Sequence, residues 1–326
     1  MNSSIARART NIALVKYWGK LDKAVNLPAT GSISMTLSGM STTTKVTFDD
    51  GLERDELVLN GMTSSENARL KVGRFMDLVR GIGGFDSRAL VESENNFPTA
   101  GGLASSASGF AALTAAAVKA AGLDLSHGEL SELARKGSGS APRSLLGGFV
   151  ELGAGSIDGS HDCVPVQIAP EDHWDLRMLV AITFDGEKDI GYTEGMERTR
   201  LTSPYYDAWI ASHPKDMRLA RRAIKDKNFH ELGCVMENSC FKMHAVAFAS
   251  SPPLMYWNPA TIAVIKKVWE LRRDGLEGFL TIDAGPHVKV LCEAKSSGRL
   301  AAELSNMPMV NRVHVEKPGP GVEYLA

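Results

Sequence analysis

Apolar and polar residues alternate with period two through Ser32 to Leu37 and Thr43 to Phe48, and Glu56 to Asn60 continues the alternation. That spacing predicts antiparallel strands with one buried face. Residues 5 to 20 alternate more weakly and hold a dense polar cluster: Asn11, Lys16, Tyr17, Trp18 and Lys20. Thr63-Ser64-Ser65-Glu66 reads as a capping box that opens a helix to about Arg80, stopped by Gly81. Arg88 to Glu92 predicts another strand. Asn96 to Gly109 then turns through glycine and serine into Phe110 to Val118, whose nearly unbroken apolar run predicts a buried helix. A second capping box, Ser126-His127-Gly128-Glu129, opens a helix to Lys136. Gly148 to Leu152 and Leu176 to Phe184 read as strands. From Ser203 the spacing turns helical: Ser203-Pro204 opens a helix, and helical patterns run through Lys215 to Lys227 and Phe229 to Phe248. Asn258-Pro259, a cap followed by proline at the first helical position, starts a helix ending at Gly275. Phe279 to Asp283, His287 to Cys292 and Arg312 to Glu316 close the chain as strands. Both halves read as α+β, divided near Phe184 into 1–184 and 185–326.

Length supports that division, because 326 residues exceed what one small core organises. A hydrophobic content of 44% with 23% charged residues is that of a soluble globular protein. The formal net charge of −2 gives no reason to expect nucleic acid or membrane as a partner, so any anion site must be local. Cys163, Cys234, Cys240 and Cys292 are scattered without a CxxC pair. That points to a reducing compartment and away from a zinc site or disulfide framework. The apolar run Ile12 to Val15, between Arg9 and Lys16, is too short for a signal-peptide core, and no apolar stretch is long enough to span a bilayer. A cytoplasmic protein is expected.

The candidate chemistry lies in polar loops. Gly101 and Gly102 let the backbone approach a ligand closely. Ser105 and Ser106 follow where the first amides of a helix lack internal partners. Free N–H groups, hydroxyls and the positive helix end together suit a phosphate, although an ordinary serine-capped glycine turn accounts for the same residues equally well. Walker A, GxGxxG, HExxH and GxSxG patterns are all missing from the sequence, so the corresponding enzyme classes lack their signatures. Gly137 to Arg143 offers two hydroxyls and a planar guanidinium, a match for a second phosphate, against the blander reading of a linker with a surface arginine. Asp283 closes an apolar strand before Gly285-Pro286; it is either a turn former or a carboxylate held in a cleft as a general base. Lys16, Tyr17 and Lys20 form either a solvated edge strand or the cationic wall of an anion pocket. His127, His161 and His230 lie in polar surroundings, whereas His244 and His287 sit nearer these segments without being marked as ligands. The methionines read as core filler.

Over nearly its whole length the chain resembles the GHMP kinase superfamily, and within it the diphosphomevalonate decarboxylase family. The resemblance is carried by Asn11 to Lys20, Asn96 to Gly109, Gly137 to Arg143, Gly195-Met196, Thr202 to Tyr206 and Ile282 to Pro286. It implies an α+β, two-domain GHMP kinase fold with the active site between the halves. The N-terminal domain would be ribosomal protein S5 domain 2-like and the C-terminal one ferredoxin-like. It also implies ATP-dependent decarboxylation of (R)-5-diphosphomevalonate to isopentenyl diphosphate by a homodimer. By the family's pattern Asp283 would sit beside the substrate's 3-hydroxyl, and Arg143 would orient the carboxylate end. Lys16, Tyr17, Lys20, Ser138, Gly139, Ser140 and Met196 would line the substrate pocket, while Asn11 would support the site. ATP would be held by Ser93, Asn95, Pro98, Gly102, Ala104, Ser105 and Ser106, with Mg²⁺ carried mainly by the phosphates and touched by Ser106. Burial should raise the pKa of Asp283, with Arg143 and Lys16 opposing. Pro142 replaces the usual cysteine and His287 the usual asparagine. The Gly186 to Gly195 segment, with Tyr192 and Thr193, lacks the Ser-Arg pair that many bacterial members present to the diphosphate. These departures leave phosphomevalonate decarboxylation or mevalonate 3-phosphorylation as alternatives. A non-catalytic GHMP-fold binding protein is a reading from another class, opposed by intact Asp283, Arg143 and Ser106.

Overall fold

Two sheets organise the chain, and one long pair of strands belongs to the cores of both. The computed structural model describes residues 3–97, 105–156, 158, 163–183 and 190–326. Strand β1 (Ser3–Val15) runs antiparallel to β4 (Ser32–Asp49), with the small pair β2 (Lys20–Asp22) and β3 (Leu27–Pro28) between them. β4 fuses the two strands expected at Ser32–Leu37 and Thr43–Phe48 into one, because the partner strand β1 bridges both through register shifts at Arg9/Asn11 and Ala13/Val15. Next come β5 (Glu56–Leu59), β6 (Met62–Thr63), helix α1 (Glu66–Gly83) and β7 (Arg88–Asn95). Helices α2 (Ser105–Ala120) and α3 (His127–Gly137), a short 3-10 helix (Ala141–Leu145), β8 (Phe149–Leu152) and β9 (Pro165–Ala169) complete this half.

The capping of α1 differs from expectation. Ser65, not Thr63, is the cap: its hydroxyl accepts from the Ala68 amide at 3.4 Å, while Thr63 belongs to β6. Glu66 pairs with Arg69 instead of reaching back. The helix passes Gly81 and ends where Gly84 takes φ 67°, a left-handed conformation that glycine adopts without strain. The box at Ser126 and Glu129 forms as expected.

The second half comprises β10 (Leu176–Ile182), α4 (Tyr192–Thr202), α5 (Tyr206–Lys225), α6 (Phe229–Phe248) and α7 (Pro259–Arg273). It continues through β11 (Phe279–Ile282), β12 (Val288–Glu293), α8 (Ala294–Ser305), β13 (Arg312–Glu316) and β14 (Glu323–Leu325). Its antiparallel sheet has the order β11-β12-β10-β13. The first sheet has the order β14-β1-β4-β7-β5-β6, with β8 and β9 attached to β4. Thus β10 precedes the expected division at Phe184 yet pairs with β12 and β13, and β14 returns to pair with β1.

Burial explains why the halves are joined firmly. Ala6, Ala8 and Val46, at one end of the β1–β4 pair, pack with α1 and α2. Ile12, Leu14, Val15, Ile33 and Met35, at the other end, share a core with β10, α5, α6 and β12. Removing that much apolar surface from water fixes the position of β1 against both halves. No helix among the described residues is long and apolar enough to cross a membrane.

Candidate active site

The end of β1 and the end of β11 meet, and their polar side chains meet with them. Lys16 Nζ donates to Asp283 Oδ1 at 2.5 Å, and Lys289 Nζ of β12 lies 3.1 Å from Oδ2. The lysine side chains are 1% and 0% exposed and that of Asp283 15%. Burial alone would raise the Asp283 pKa, but the two ammonium charges outweigh it and hold the carboxyl below the usual carboxylate range. Lys289 is therefore the second cation in contact with this group, while Arg143 stands farther off and is coupled to it through charge alone. The turn beyond is fixed from behind: His244 Nε2 donates to Ile282 O at 3.2 Å, and the Ile282 amide donates to Cys240 Sγ at 3.1 Å. Thr183 and Thr261 hydroxyls both donate to Pro286 O, at 2.9 and 2.7 Å. His287 accepts from the Thr183 amide at 3.3 Å; burial, with Lys289 nearby, pushes its pKa down to about 3. The ring is a neutral structural acceptor.

Arg143 stands in the 3-10 helix, 2% exposed. Its Nε donates to Asn11 Oδ1 at 3.2 Å and its Nη1 to Ser32 Oγ at 2.6 Å. Asn11 in turn donates to Ser144 Oγ at 2.7 Å, so strand β1 sets the guanidinium's orientation. Pro142, with its fixed φ and no N–H, suits the first turn of this helix. Ser138 and Ser140 hydroxyls lie 3.3 Å apart on the segment leading to it. The Tyr17 hydroxyl, buried without a hydrogen-bond partner, rests against Gly139, where a Cβ would come within 2.5 Å of it. A side chain there would displace the Tyr17 hydroxyl. Burial pushes the Tyr17 pKa up, against the pull of Arg143. Lys20 Nζ donates to Asn26 Oδ1 at 2.7 Å and to Thr193 Oγ1 at 3.1 Å. Asn26 also donates to the Arg135 and Lys136 carbonyls, 3.0 Å each, tying Lys20 to the end of α3. Burial, then Lys71 and Lys23, push the Lys20 pKa down to about 8.

Asp283, Lys16, Arg143, Tyr17 and Lys20 open on one cleft of about 1440 Å³ between the halves, with Lys289 and the clamps of the turn behind its wall. Asn11, Lys16, Tyr17, Lys20, Ser106, Ser138, Gly139, Ser140, Arg143, Met196 and Asp283 all line it. So do Lys71, Arg74 and Lys136, which the sequence reading passed over. Ser105 begins α2, but it is not among the described lining residues, and neither are Ser93 and Asn95. Ser93 Oγ is bonded to Thr44 Oγ1 at 2.9 Å, and Asn95 Oδ1 accepts from Thr42 at 2.6 Å, within the β4–β7 ladder. Pro98, Gly102 and Ala104 lie outside the described residues.

Architecture and cleft together are those of a two-domain GHMP-type protein. Residues 8–164 match the family described as the diphosphomevalonate decarboxylase-like N-terminal domain, and residues 178–317 the mevalonate 5-diphosphate decarboxylase C-terminal domain. A diphosphomevalonate decarboxylase from Candida albicans is 37% identical over 318 residues, 93% of this chain and 88% of that protein. The mevalonate diphosphate decarboxylase from Staphylococcus aureus superposes with a TM-score of 0.94 at 40% identity, over 100% of this chain and 98% of that one. MDDEF in complex with MVAPP, AMPPCP and magnesium superposes with a TM-score of 0.93 at 41% identity, over 99% and 98%. The chain belongs to the diphosphomevalonate decarboxylase family.

Proposed function

We propose that the protein converts (R)-5-diphosphomevalonate and ATP to isopentenyl diphosphate, ADP, phosphate and CO2. The observation that carries this reading is a lysine-flanked carboxylate facing Arg143 and Ser106 across one basic cleft. Complexes of a relative with MVAPP, AMPPCP and magnesium support the same substrate pair and ion. A tertiary 3-hydroxyl leaves poorly, so it is first phosphorylated, losing its proton as the γ-phosphoryl is transferred. The C3–O bond then breaks, phosphate departs, and the electrons of the C–COO⁻ bond form the alkene as CO2 leaves. For such a sequence the protein supplies position and charge. Asp283, with two oxygens and about four lone-pair sites, keeps room to accept the 3-hydroxyl while both lysines hold it. Its negative charge then stands beside C3 as positive charge develops there. Arg143 is placed to fork onto the substrate carboxylate. Tyr17, Lys20, Ser138, Gly139, Ser140 and Met196 hold the diphosphate and the carbon chain.

Among the described residues no cluster of three or more His, Cys, Asp or Glu could hold a metal ion, and both Asp283 oxygens face ammonium groups. The donor set therefore fits Mg²⁺ arriving on the nucleotide phosphates, with the Ser106 hydroxyl at the start of α2 as the protein's contribution. Bound there, the ion neutralises phosphate charge. Two domains belong to the same reading; the pairing of β9 with β8 and of β10 with β12 and β13 supports a division between β9 and β10. The reading includes a homodimer in the cytoplasm, the latter in keeping with four free cysteines; light scattering on the purified protein tests the dimer. The deciding experiment incubates the enzyme with ATP-Mg and, separately, mevalonate, its 5-phosphate and its 5-diphosphate, with products identified by mass spectrometry. Isopentenyl diphosphate from the 5-diphosphate is expected. Turnover of the monophosphate alone would reassign the substrate.

A further inference from the structure

Lys289 is 0% exposed on the middle of a sheet, where a lysine has no ordinary reason to be. On β12 it lies opposite Thr281 of β11 and Val180 of β10. Asp283 stands two residues past Thr281, hence at the diagonal cross-strand position, which a long side chain reaches. Resting on the proposed reaction, we propose that Lys289 is a positioning residue. Its ammonium grips Oδ2 while Lys16 grips Oδ1, so Asp283 stays ionised with its remaining lone pairs turned into the cleft toward the substrate's 3-hydroxyl.

Three observations carry this. The two lysines come from different halves of the chain, one directly after β1 and one on β12, and reach different oxygens of one carboxylate. With one lysine the carboxylate could pivot about a single hydrogen bond; the second ammonium, in ionic contact with Oδ2 at 3.1 Å, opposes that rotation by its charge. The turn behind Asp283 is itself clamped by Cys240, His244, Thr183 and Thr261, so the side chain is the remaining freedom that Lys289 restricts. Burial by itself would raise the pKa of the group, and Lys16 and Lys289 are the charges opposing it.

The groups facing this pair make the test clean. Lys16 comes from the residue after β1, Cys240 and His244 from α6, Tyr192 from α4, Arg143 from the 3-10 helix, and His287 faces Lys289. Burial pushes both His244 and His287 down to about 3, Cys240 up to about 11 and Arg143 down to about 10, and raises Tyr192. None of His244, His287, Cys240 and Arg143 titrates between pH 4 and 8, so a limb that moves up into that range in a variant reports Asp283.

Lys289→Met keeps a buried chain of similar length and removes one of the two cations, leaving Lys16 paired with Asp283. At neutral pH kcat should fall ~10–10²-fold, the cost of a misplaced reacting group, with KM for ATP and diphosphomevalonate within about threefold of wild type. The acid limb of the kcat–pH profile should rise by about one to three pH units, the effect of withdrawing an opposite charge at this distance. Lys289→Arg should leave the limb low. A loss of kcat with the limb unmoved, or no loss at all, would overturn the proposal. Independently of substrate, ¹³C NMR of the wild-type Asp283 carboxylate should show it ionised well below pH 3.9; titration in the ordinary carboxylate range overturns the clamp even if the variant fails to fold. A wild type that turns over no mevalonate derivative yet passes the NMR test would sink the proposed reaction and leave the clamp standing.

Discussion

Replacing Asp283 by Asn separates the reaction from the electrostatics that hold the site. The amide keeps the shape of the side chain but neither accepts a proton nor carries charge. Turnover should fall ~10²–10⁴-fold, the usual contribution of a positioned acid–base group, while ATP affinity changes little, because Ser106 and α2 lie elsewhere in the cleft. Stability should fall too. Lys16 and Lys289, 1% and 0% exposed, would face an uncharged amide. Breaking a buried pair by removing one partner costs about 3–5 kcal/mol, on the order of 10 °C in melting temperature at a few degrees per kcal/mol. The penalty has a definite pH dependence. Burial already lowers the Lys289 pKa, with Asp283 as the opposing charge; without the carboxylate it drops further. The folded variant then binds fewer protons than the unfolded chain, so its stability rises with pH until the unfolded lysines deprotonate near ~10.4. In wild type the depressed Asp283 pKa contributes stability at neutral pH that is lost only as pH falls through that lowered value. The melting-temperature gap between wild type and variant should therefore narrow from pH 7 to pH 9, measured by scanning calorimetry beside a coupled ADP-release assay. Turnover within about threefold of wild type would remove Asp283 from the mechanism, and a gap that stays constant with pH would refute the charge argument.

Ser106→Ala should slow phosphoryl transfer in single-turnover assays far more than it lowers stability, since one cap hydrogen bond is worth only about 0.5–2 kcal/mol; early melting with normal turnover would make Ser106 a structural cap alone. Lys20, with its pKa near 8, is charged below that pH, so kcat/KM for diphosphomevalonate should fall above pH 8 while kcat holds, and Lys20→Arg should abolish the decline. Wild type should prefer the 5-diphosphate over the 5-monophosphate by ~10–10⁴-fold in kcat/KM, given about 1.5–3 kcal/mol for each lost charge-assisted contact. Lys20→Met should narrow that preference, and equal use of both substrates would refute the assignment.

How much of this was legible in the residues depended on the range of the contacts involved. Asn11 and Lys16 stood out in a dense polar cluster around an apolar run, Asp283 at the close of an apolar strand and Arg143 at the end of a glycine-serine loop, all local signals. Lys289 did not. In His287-Val288-Lys289-Val290 a lysine alternating with valines is indistinguishable from the solvated face of an edge strand. Only the pairing of β12 between β11 and β10 buries it. The same limit hid the membership of β10, whose apolar run fits either sheet until its partners are known. Helix α8 was missed because Ala294 to Gly298 is small and polar, and only Leu300 and Leu304 are buried. At α1 two serines and a threonine offered rival caps, and β6 took the threonine.

The charges of the cleft follow two opposite designs, and the contrast bears on what the cleft receives. Arg143 is oriented by Asn11 Oδ1 and Ser32 Oγ, and Lys20 by Asn26 Oδ1 and Thr193 Oγ1. These acceptors are neutral. They fix the direction of each cation without cancelling its charge, so the full attraction remains for an anionic ligand, in a partly desolvated setting where such contacts are strongest. Asp283 is the reverse case, a single anion held by two cations, which keeps a negative charge at a place where the substrate is neutral until C3 ionises. Positive groups held by neutral partners bind the ends of a multiply charged substrate, and a negative group held by positive partners waits at its middle. Because Asn11 stands on β1 and Lys16 directly follows its last residue, and the strand contributes to the cores of both halves, the spacing between these opposed sites is set by a packed strand.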